Sequence, residues 1–230
     1  MTRKPRSGTV IGFVWLYLCT NYDSRDSRAQ SSAVLTVVQD ENPAQHGPDV
    51  SSFNDKMTPP QVADPAYPIR DATEADVPGM LEIYNWCVLN SVATFDYDPW
   101  TLEDRLGWFR QFNEQRPLIV AVDASGTVVG YCGLTQFNPK KGYDKTVEIT
   151  LYVHHEHLRK GLGKRLAKII IARAKALGYK NIIALVAQEN ESSVVLFKKL
   201  WFQQSGYFPA LGYKFGRDLD VVYLQLQLFS

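Results

Sequence analysis

The sequence predicts a mixed α/β domain for residues 66–230, with one mixed sheet and helices on both of its faces. Apolar residues recur at helical spacing in four segments of this region, and short segments rich in β-branched and aromatic residues alternate with them. The chain has 230 residues, of which 45% are hydrophobic and 12% aromatic, so it can fill a sizeable core. The predicted order of elements is β-α-α-β-β-β-α-β-α-β-β.

The first three elements are a strand and two helices. Tyr67–Ala72 has strand character, and Thr73 with Asp76 forms a pattern typical of a capping box at a helix start. Thr101 with Asp104 repeats this pattern before a second helix. Apolar residues at helical spacing follow each start: Val77, Met80, Tyr84, Cys87 and Val88 in the first helix, and Leu102, Leu106 and Phe109 in the second.

The remaining elements are marked by apolar runs between turn residues. Leu118–Val122 and Val128–Phe137 flank a turn with Gly126 and predict a β-hairpin. Gly161–Leu177 predicts a helix that ends at Gly178. Further strands and a last helix are predicted at Val147–Val153, Ile182–Ala187, Asn190–Leu200 (the helix) and Val221–Leu228.

A glycine-containing turn between a strand and a helix predicts a local anion site. Gly161 and Gly163 stand at the helix start, among the basic residues Arg159, Lys160, Lys164 and Arg165. Helix N-termini offer free N–H groups and a favourable dipole to phosphates. Neither a Rossmann GxGxxG motif nor a P-loop is present, since Leu166 and Arg165 occupy key positions. An ordinary helix start with a solvated charged turn is the alternative.

Charge and cysteine content exclude several classes of protein. Lys and Arg total 25 against 24 Asp and Glu, so the net charge of the chain provides no electrostatic attraction for nucleic acid. Three separated cysteines, Cys19, Cys87 and Cys132, indicate neither a disulfide framework nor a zinc site. Cys87 and Cys132 lie in apolar segments and are expected to be packing thiols rather than nucleophiles. These features favour a cytoplasmic protein without membrane contact.

Residues 1–65 differ in composition from the rest of the chain. Residues 24–64 are rich in Ser, Asp, Gln and Pro and show few periodic apolar positions, so we expect a largely disordered extension. The apolar run Val10–Cys19 follows basic residues, as in targeting sequences, but is too short to span a membrane and lacks an Ala-x-Ala site. An untargeted leader and an organelle-targeting segment remain open as interpretations.

Several segments resemble the GCN5-related N-acetyltransferase (GNAT) superfamily. Its core motifs are matched in order by Glu148–Val153, the turn Arg159–Gly163 and Asn190–Phe202. Other segments are similar to the phosphinothricin acetyltransferase branch: Ile69–Thr73, Glu82–Asn85, Ala93–Phe95, Arg105 with Trp108 and Phe109, Gly142-Tyr143, and Gly212–Arg217 with Asp220. The resemblance spans nearly all of 67–228 and none of 1–65. It implies a mostly antiparallel sheet and acetyl transfer from acetyl-coenzyme A (acetyl-CoA).

The resemblance also implies a cofactor site on the strand Val147–Val153. In the superfamily this strand diverges from the equivalent of Ile182–Ala187, and the pantetheine arm of the cofactor fills the gap. Glu148 matches the proposed general base, and burial among apolar neighbours is expected to raise its pKa. The implied cofactor-binding residues are Leu151, Tyr152, Val153, Arg159, Lys160, Gly161, Leu162, Gly163, Lys164, Asn190 and Ser193. A solvated strand-end carboxylate is the alternative for Glu148.

The acceptor implied by the resemblance is the amine of a small molecule. Phosphinothricin, methionine sulfoximine, methionine sulfone and related amino acids are the candidates, and a homodimer is possible. Phe95, Lys140, Tyr143 and Lys214 fall at or near positions that line the acceptor site in relatives, where a lysine could hold a carboxylate. Ordinary core for Phe95 and a solvated loop for Lys140 are the alternatives.

Departures from the superfamily pattern leave the general acid unassigned. Phe197 stands where many relatives have Tyr or His, Trp201 replaces a usual glycine, and Leu158 replaces a polar residue of the phosphate turn. Tyr152, Tyr213 or solvent could protonate the departing thiolate instead.

Two other functions compete with that of an enzyme. A non-catalytic acetyl-CoA-binding sensor would follow from loss of the acid, and a generic α/β interaction domain would require coincidence across several motifs. The cluster His154, His155 and His157 is expected to be solvated, because its spacing lacks a metal-binding pattern, and no metal is predicted.

Overall fold

The structure is a computed structural model that describes residues 66–228. The predicted extension 1–65, with its possible targeting segment Val10–Cys19, lies outside the described residues.

Within these residues, seven strands and four α-helices follow one another in the predicted order. The strands are β1 (Ile69–Asp71), β2 (Leu118–Val122), β3 (Val128–Gln136), β4 (Thr146–Val153), β5 (Asn181–Ala187), β6 (Gln203–Lys214) and β7 (Arg217–Gln227). The helices are α1 (Val77–Asn90), α2 (Leu102–Phe109), α3 (Leu162–Ala176) and α4 (Glu191–Lys199). Short 3₁₀ turns lie at Glu74–Asp76, Lys141–Tyr143 and His155–His157.

Both predicted capping boxes are present, but they start different kinds of helix. Thr101 starts α2 as expected, since its hydroxyl accepts from the N–H of Asp104 at 3.2 Å. Thr73 donates its backbone N–H to the Asp76 carboxylate at 2.7 Å, but a 3₁₀ turn follows and α1 begins only at Val77. The predicted capping box at Thr73 is therefore present, and the 3₁₀ turn that it starts leads into α1.

The seven strands form one mixed sheet in the order β1-β2-β3-β4-β5-β7-β6. Every pair is antiparallel except β4 with β5. Strand β7 begins four residues before the predicted Val221, because a tight turn at Phe215 and Gly216, both with positive φ, brings it back along β6 at once. Register shifts in β6, which contains Pro209 and two glycines, explain its weak sequence signal.

Two apolar clusters lie on opposite faces of the sheet. Ile119 and Ala121 of β2 pack in the cluster that contains the buried residues of α3 and α4. The alternate residues Leu118 and Val120 pack with α1, and α2 borders that second cluster. Since successive strand residues point to opposite faces, this division confirms the predicted sheet with helices on both sides. No helix within residues 66–228 is both long and apolar enough to span a bilayer.

Candidate active site

Strand β4 is paired along nearly its whole length on one side and only at its beginning on the other. It pairs with β3 from Val147 to Val153. Its parallel pairing with β5 covers only Thr146–Glu148 and ends at the pair Glu148–Ile183. Beyond Glu148 the ladder between the two strands is open. Backbone N–H and C=O groups that leave a ladder require other partners, so an extended polar ligand can pair with this edge.

Glu148 lies where the two strands part. Its side chain shares a face with Thr150 and Tyr152, because alternate residues of a strand point the same way. The residue is half-buried, and within the described part of the chain no hydrogen bond or ion pair holds its carboxylate. Burial raises the pKa of Glu148 to about 7. The carboxyl group can therefore accept and release a proton near neutral pH.

The predicted phosphate turn joins β4 to α3. Gly161 precedes the helix with φ of 77°, in the left-handed region, and Arg159 has φ of 60°. Gly163 lies in the first turn of α3, where an added Cβ would come within 3.2 Å of a Leu196 methyl group on α4. A glycine at 163 therefore lets the start of α3 approach α4 closely.

Cations surround this helix start. Arg159, Lys160 and Lys164 are exposed, and the Lys160 ammonium group lies 5.9 Å from the centre of the Tyr67 ring. Arg165 is half-buried and donates a hydrogen bond to the backbone carbonyl of Tyr67 at 3.1 Å. The first three side chains, the free N–H groups of α3 and the helix dipole form an arrangement suited to phosphate.

A second helix start lies beside the first. Asn190 caps α4, because its side-chain oxygen accepts from the backbone N–H of Ser193 at 3.3 Å. Both residues are half-buried. The approach of Leu196 to Gly163 brings α4 next to the turn. The cofactor-binding residues named from the sequence thus surround the open end of the β4–β5 gap: Leu151, Tyr152 and Val153 on β4, Arg159–Lys164 at the turn, and Asn190 and Ser193 at α4.

The segment Ser91–Tyr97, here called the 91–97 loop, contacts the face of β4 that carries Glu148 and Tyr152. Tyr152 donates its hydroxyl hydrogen to the Ala93 carbonyl at 3.2 Å. The Phe95 ring lies against Gly212, where an added Cβ would be only 2.7 Å from the ring. Phe95 therefore packs on β6, and a residue larger than glycine at 212 would clash with its ring.

The other residues predicted to line the acceptor site fall in two places. Lys214 is 1% exposed and donates to the carbonyls of Ser91 and Thr94 at 2.9 and 2.7 Å. Lys140 and Tyr143 lie on the exposed loop between β3 and β4. A cavity of about 600 Å³ is lined by Tyr143, Asn138 and, just before Glu148, Thr146 and Val147, among others. The structure thus joins Phe95 with Lys214 and leaves Lys140 and Tyr143 on a separate loop.

Sequence reasoning missed one residue near Glu148. Tyr223 of β7 has a pKa raised by burial and, in addition, by the negative charge of Glu148. Strand alternation places Tyr223 opposite Val222 and Leu224, which belong to the core on the α3 face. The alternation of the closing strand could have placed Tyr223 on the face of the sheet opposite α3, which also carries Glu148. Its proximity to Glu148 depends on the sheet order and is not visible in the sequence.

Phe197 and the cysteines lie in the core. Phe197 is buried, with its ring 5.0 Å from that of Phe202. Cys87 and Cys132 are free and buried, and burial raises the pKa of both thiols. They therefore stay protonated at neutral pH and are poorly suited to nucleophilic attack.

The histidine cluster forms a ring stack, and the Nδ1 atom of His155 is buried, so the prediction that the cluster is solvated was wrong for His155. His155 lies parallel to Trp86 with ring centroids 4.3 Å apart, and His154 stacks on His155 at 4.4 Å. Across residues 66–228 no three His, Cys, Asp or Glu side chains converge as metal ligands.

Comparisons with known proteins agree with this geometry. A family model described as the acetyltransferase (GNAT) domain matches residues 69–223. The L-methionine sulfoximine/L-methionine sulfone acetyltransferase of Pseudomonas aeruginosa is 40% identical over 161 residues, covering 70% of this chain and 94% of that protein. The chain belongs to the GNAT acetyltransferase family. As a member it is an enzyme that uses acetyl-CoA as co-substrate.

Further relatives narrow the branch of the GNAT family. The phosphinothricin N-acetyltransferase of Streptomyces viridochromogenes is 32% identical over 157 residues, covering 68% of this chain and 85% of that protein. Among solved structures, the phosphinothricin acetyltransferase of Sinorhizobium meliloti in complex with acetyl-CoA superposes with a TM-score of 0.69 at 34% identity, covering 71% of this chain and 89% of that chain. These similarities confirm the predicted resemblance to the phosphinothricin acetyltransferase branch.

Proposed function

We propose that this GNAT acetyltransferase transfers the acetyl group of acetyl-CoA directly to the amine of a small amino acid or analogue, such as methionine sulfone, methionine sulfoximine or phosphinothricin. One observation carries the proposal: the β4–β5 ladder opens at Glu148, whose unpaired carboxyl group has a pKa near 7. The names of the relatives support the acceptor class.

In this proposal acetyl-CoA lies in the gap between β4 and β5. Its pantetheine arm pairs with the open backbone edge of Leu151, Tyr152 and Val153. Its pyrophosphate binds at the N-terminus of α3, where Gly161 and the exposed cations lie. Asn190 and Ser193 contact the cofactor from the start of α4.

Transfer requires a neutral amine, a stabilised oxyanion and a departing thiolate. Glu148 accepts the proton of the acceptor amine, directly or through one water, and the amine attacks the thioester carbon. A backbone N–H near Leu151 stabilises the oxyanion before the C–S bond breaks. Phe197 cannot donate a proton, and burial raises the pKa of Tyr152 well above its usual value. Solvent or the exposed Tyr213 is therefore left to protonate the thiolate of coenzyme A.

Phe95, Lys140 and Tyr143 contact the acceptor in this proposal. Phe95, which packs on β6, supplies an apolar wall, and Lys140 supplies a charge for an acceptor carboxylate from the β3–β4 loop. Tyr143 lines the cavity next to the start of β4.

We also propose a homodimer formed through the edge strand β6. Tyr207, Phe208, Leu211 and Tyr213 of this strand are each more than 40% exposed. An exposed apolar edge strand is a common pairing surface. A cytoplasmic location is consistent with the free thiols of Cys87 and Cys132.

Acetyl-CoA consumption with a panel of free amino acids and peptides tests the proposed reaction. Turnover with methionine sulfone or phosphinothricin is the expected result. Acetyl-CoA binding without turnover on any amine would favour the alternative of a non-catalytic sensor, and turnover with peptides alone would overturn the acceptor class.

The phosphate turn is tested by Gly161→Ala, with Gly126→Ala as its matched control. Both glycines have positive φ, 77° and 85°, and both have open space around the position of a Cβ. Each substitution should cost about 1 kcal/mol of stability through backbone strain. Only Gly161→Ala should weaken acetyl-CoA binding, measured by calorimetry. Equal cofactor affinity in the two variants would contradict a pyrophosphate site at this turn.

A further inference from the structure

Lys214 is buried, although it lies at the end of an edge strand. It is the last residue of β6, just before the tight turn at Phe215 and Gly216. Its side chain is 1% exposed, and its ammonium group donates to the carbonyls of Ser91 and Thr94 at 2.9 and 2.7 Å. These two carbonyls belong to the 91–97 loop, so Lys214 joins the tip of the β6–β7 hairpin to that loop.

The contacts of Lys214 make it a poor direct ligand for an acceptor carboxylate. Two of its three N–H donors are used by backbone carbonyls. Burial lowers its pKa, while the carboxylate of Asp96 acts in the opposite direction. An acceptor carboxylate would have to displace at least one carbonyl and reach a side chain that is closed to solvent. The ammonium group is therefore placed to hold the loop and not to bind a solute.

The 91–97 loop is also held at other points. Tyr84 of α1 bonds through its hydroxyl to Thr94 at 2.9 Å and to the Asp96 carboxylate at 2.6 Å. Tyr97 donates to the Tyr213 carbonyl at 2.6 Å, next to Lys214. Tyr152 reaches the loop from β4. The loop is therefore fixed between α1, the hairpin tip and the strand that carries Glu148.

We propose that Lys214 is a positioning residue for the amine acceptor. It fixes the 91–97 loop, and with it Phe95, as one wall of the acceptor pocket beside Glu148, and it does not touch the acceptor itself. The proposal rests on the proposed function for the identity of the acceptor. It assigns to Lys214 a role that is independent of the acceptor's carboxylate.

The first test compares L-methionine sulfone with its α-carboxamide as acceptors for Lys214→Met. A positioning role predicts that KM rises about tenfold or more for both acceptors by a similar factor, since two charge-assisted hydrogen bonds are lost. KM for acetyl-CoA should stay within about twofold. Lys168→Met, which removes an exposed lysine on α3, should leave every constant unchanged. A loss confined to the acid, with the carboxamide unaffected, would overturn the proposal and make Lys214 a carboxylate ligand.

The second test uses no acceptor, so it stands apart from the proposed function. Hydrogen exchange of the amides in residues 91–97 should accelerate in Lys214→Met relative to the wild-type chain, while β2 and β3 remain protected. Unchanged exchange in the loop would overturn the positioning role. If wild-type protein acetylates neither acceptor, the proposed function fails, and this measurement still decides whether Lys214 holds the loop.

Tyr97→Phe is a milder variant that tests the same contact between the loop and the hairpin tip if Lys214→Met does not fold. Tyr97 is 60% exposed, and the substitution removes only the bond from its hydroxyl to the Tyr213 carbonyl at the same hairpin tip. A smaller rise in KM, again equal for the acid and the carboxamide, is expected. A rise for the acid alone would contradict the proposal.

Discussion

Two carboxyl groups withdrawn from solvent, Asp76 and Glu148, have opposite surroundings. Asp76 is 6% exposed and accepts hydrogen bonds from both terminal nitrogens of Arg70 at 2.7 Å and from Thr73. Burial alone would raise its pKa, but these donors outweigh burial and hold the pKa of Asp76 below its usual value. Glu148 has no such donors, and burial raises its pKa to about 7.

The difference separates a structural group from a reactive one. The hydrogen bonds of Asp76 stabilise its anion at the start of α1. An unpaired carboxyl group in a half-buried position has a free-energy cost when it is ionised, and proteins retain such groups mainly at functional sites. The comparison therefore indicates a structural role for Asp76 and supports the proposed role of Glu148 as the general base.

The largest effect is expected for Glu148→Gln on turnover. General-base catalysis contributes roughly a hundred- to ten-thousand-fold, so kcat should fall by about that factor. Acetyl-CoA affinity should stay similar, because Gln retains the shape of the side chain. Steady-state kinetics and calorimetry check both. Asp76→Asn, a matched loss of one carboxylate, should keep kcat within a fewfold if folded, and a larger loss of kcat in Asp76→Asn than in Glu148→Gln would reverse the comparison.

The two variants should also change the free energy of unfolding, by smaller amounts. Glu148→Gln should raise it and Asp76→Asn should lower it. At pH 8, Glu148→Gln should stabilise the chain by up to about 3 kcal/mol, because it removes a carboxyl group whose pKa burial raises to about 7. Asp76→Asn should destabilise it by about 1–3 kcal/mol through lost hydrogen bonds. Urea denaturation between pH 4 and 8 measures both.

The pH dependence gives these stability effects a signature. The raised pKa of Glu148 means that the wild-type penalty is absent below the reference pKa near 4.5 and complete above about 7, so the gain in Glu148→Gln should fade on acidification. The lowered pKa of Asp76 means that its contribution is present above about pH 4 and is lost at lower pH. The same sign of effect in both variants at pH 8 would contradict the assigned surroundings.

Removal of residues 1–65 should have the smallest effect. The matched GNAT domain begins at residue 69, and the polar composition of residues 24–64 predicts no core of its own. A chain that begins at Ala66 should keep the melting temperature and kcat of the full chain, measured side by side. A large loss of either would show that the extension contributes to the domain or to its site.

Local patterns in the sequence were enough to predict the order of elements and the turn at Gly161, because caps, glycines and apolar spacing are read within a few residues. The resemblance to the GNAT superfamily then identified Glu148 as the candidate general base. The environment of Lys214 could not be predicted, since its partners Ser91 and Thr94 are more than a hundred residues away along the chain. The proximity of Tyr223 to Glu148 likewise depends on sheet order. The predicted order includes β6, but its first and last residues were not predicted, because register shifts interrupt the alternation of its side chains.

The pH dependence of kcat/KM for the acceptor, measured for the wild-type chain and for Glu148→Gln, tests the central claim most directly. The wild-type profile should fall on the acidic side with an apparent pKa near 7, because protonated Glu148 cannot accept a proton from the amine. Glu148→Gln should be slow and should lack this limb. Full activity in Glu148→Gln with the same acidic limb would contradict the claim and place the base at another residue.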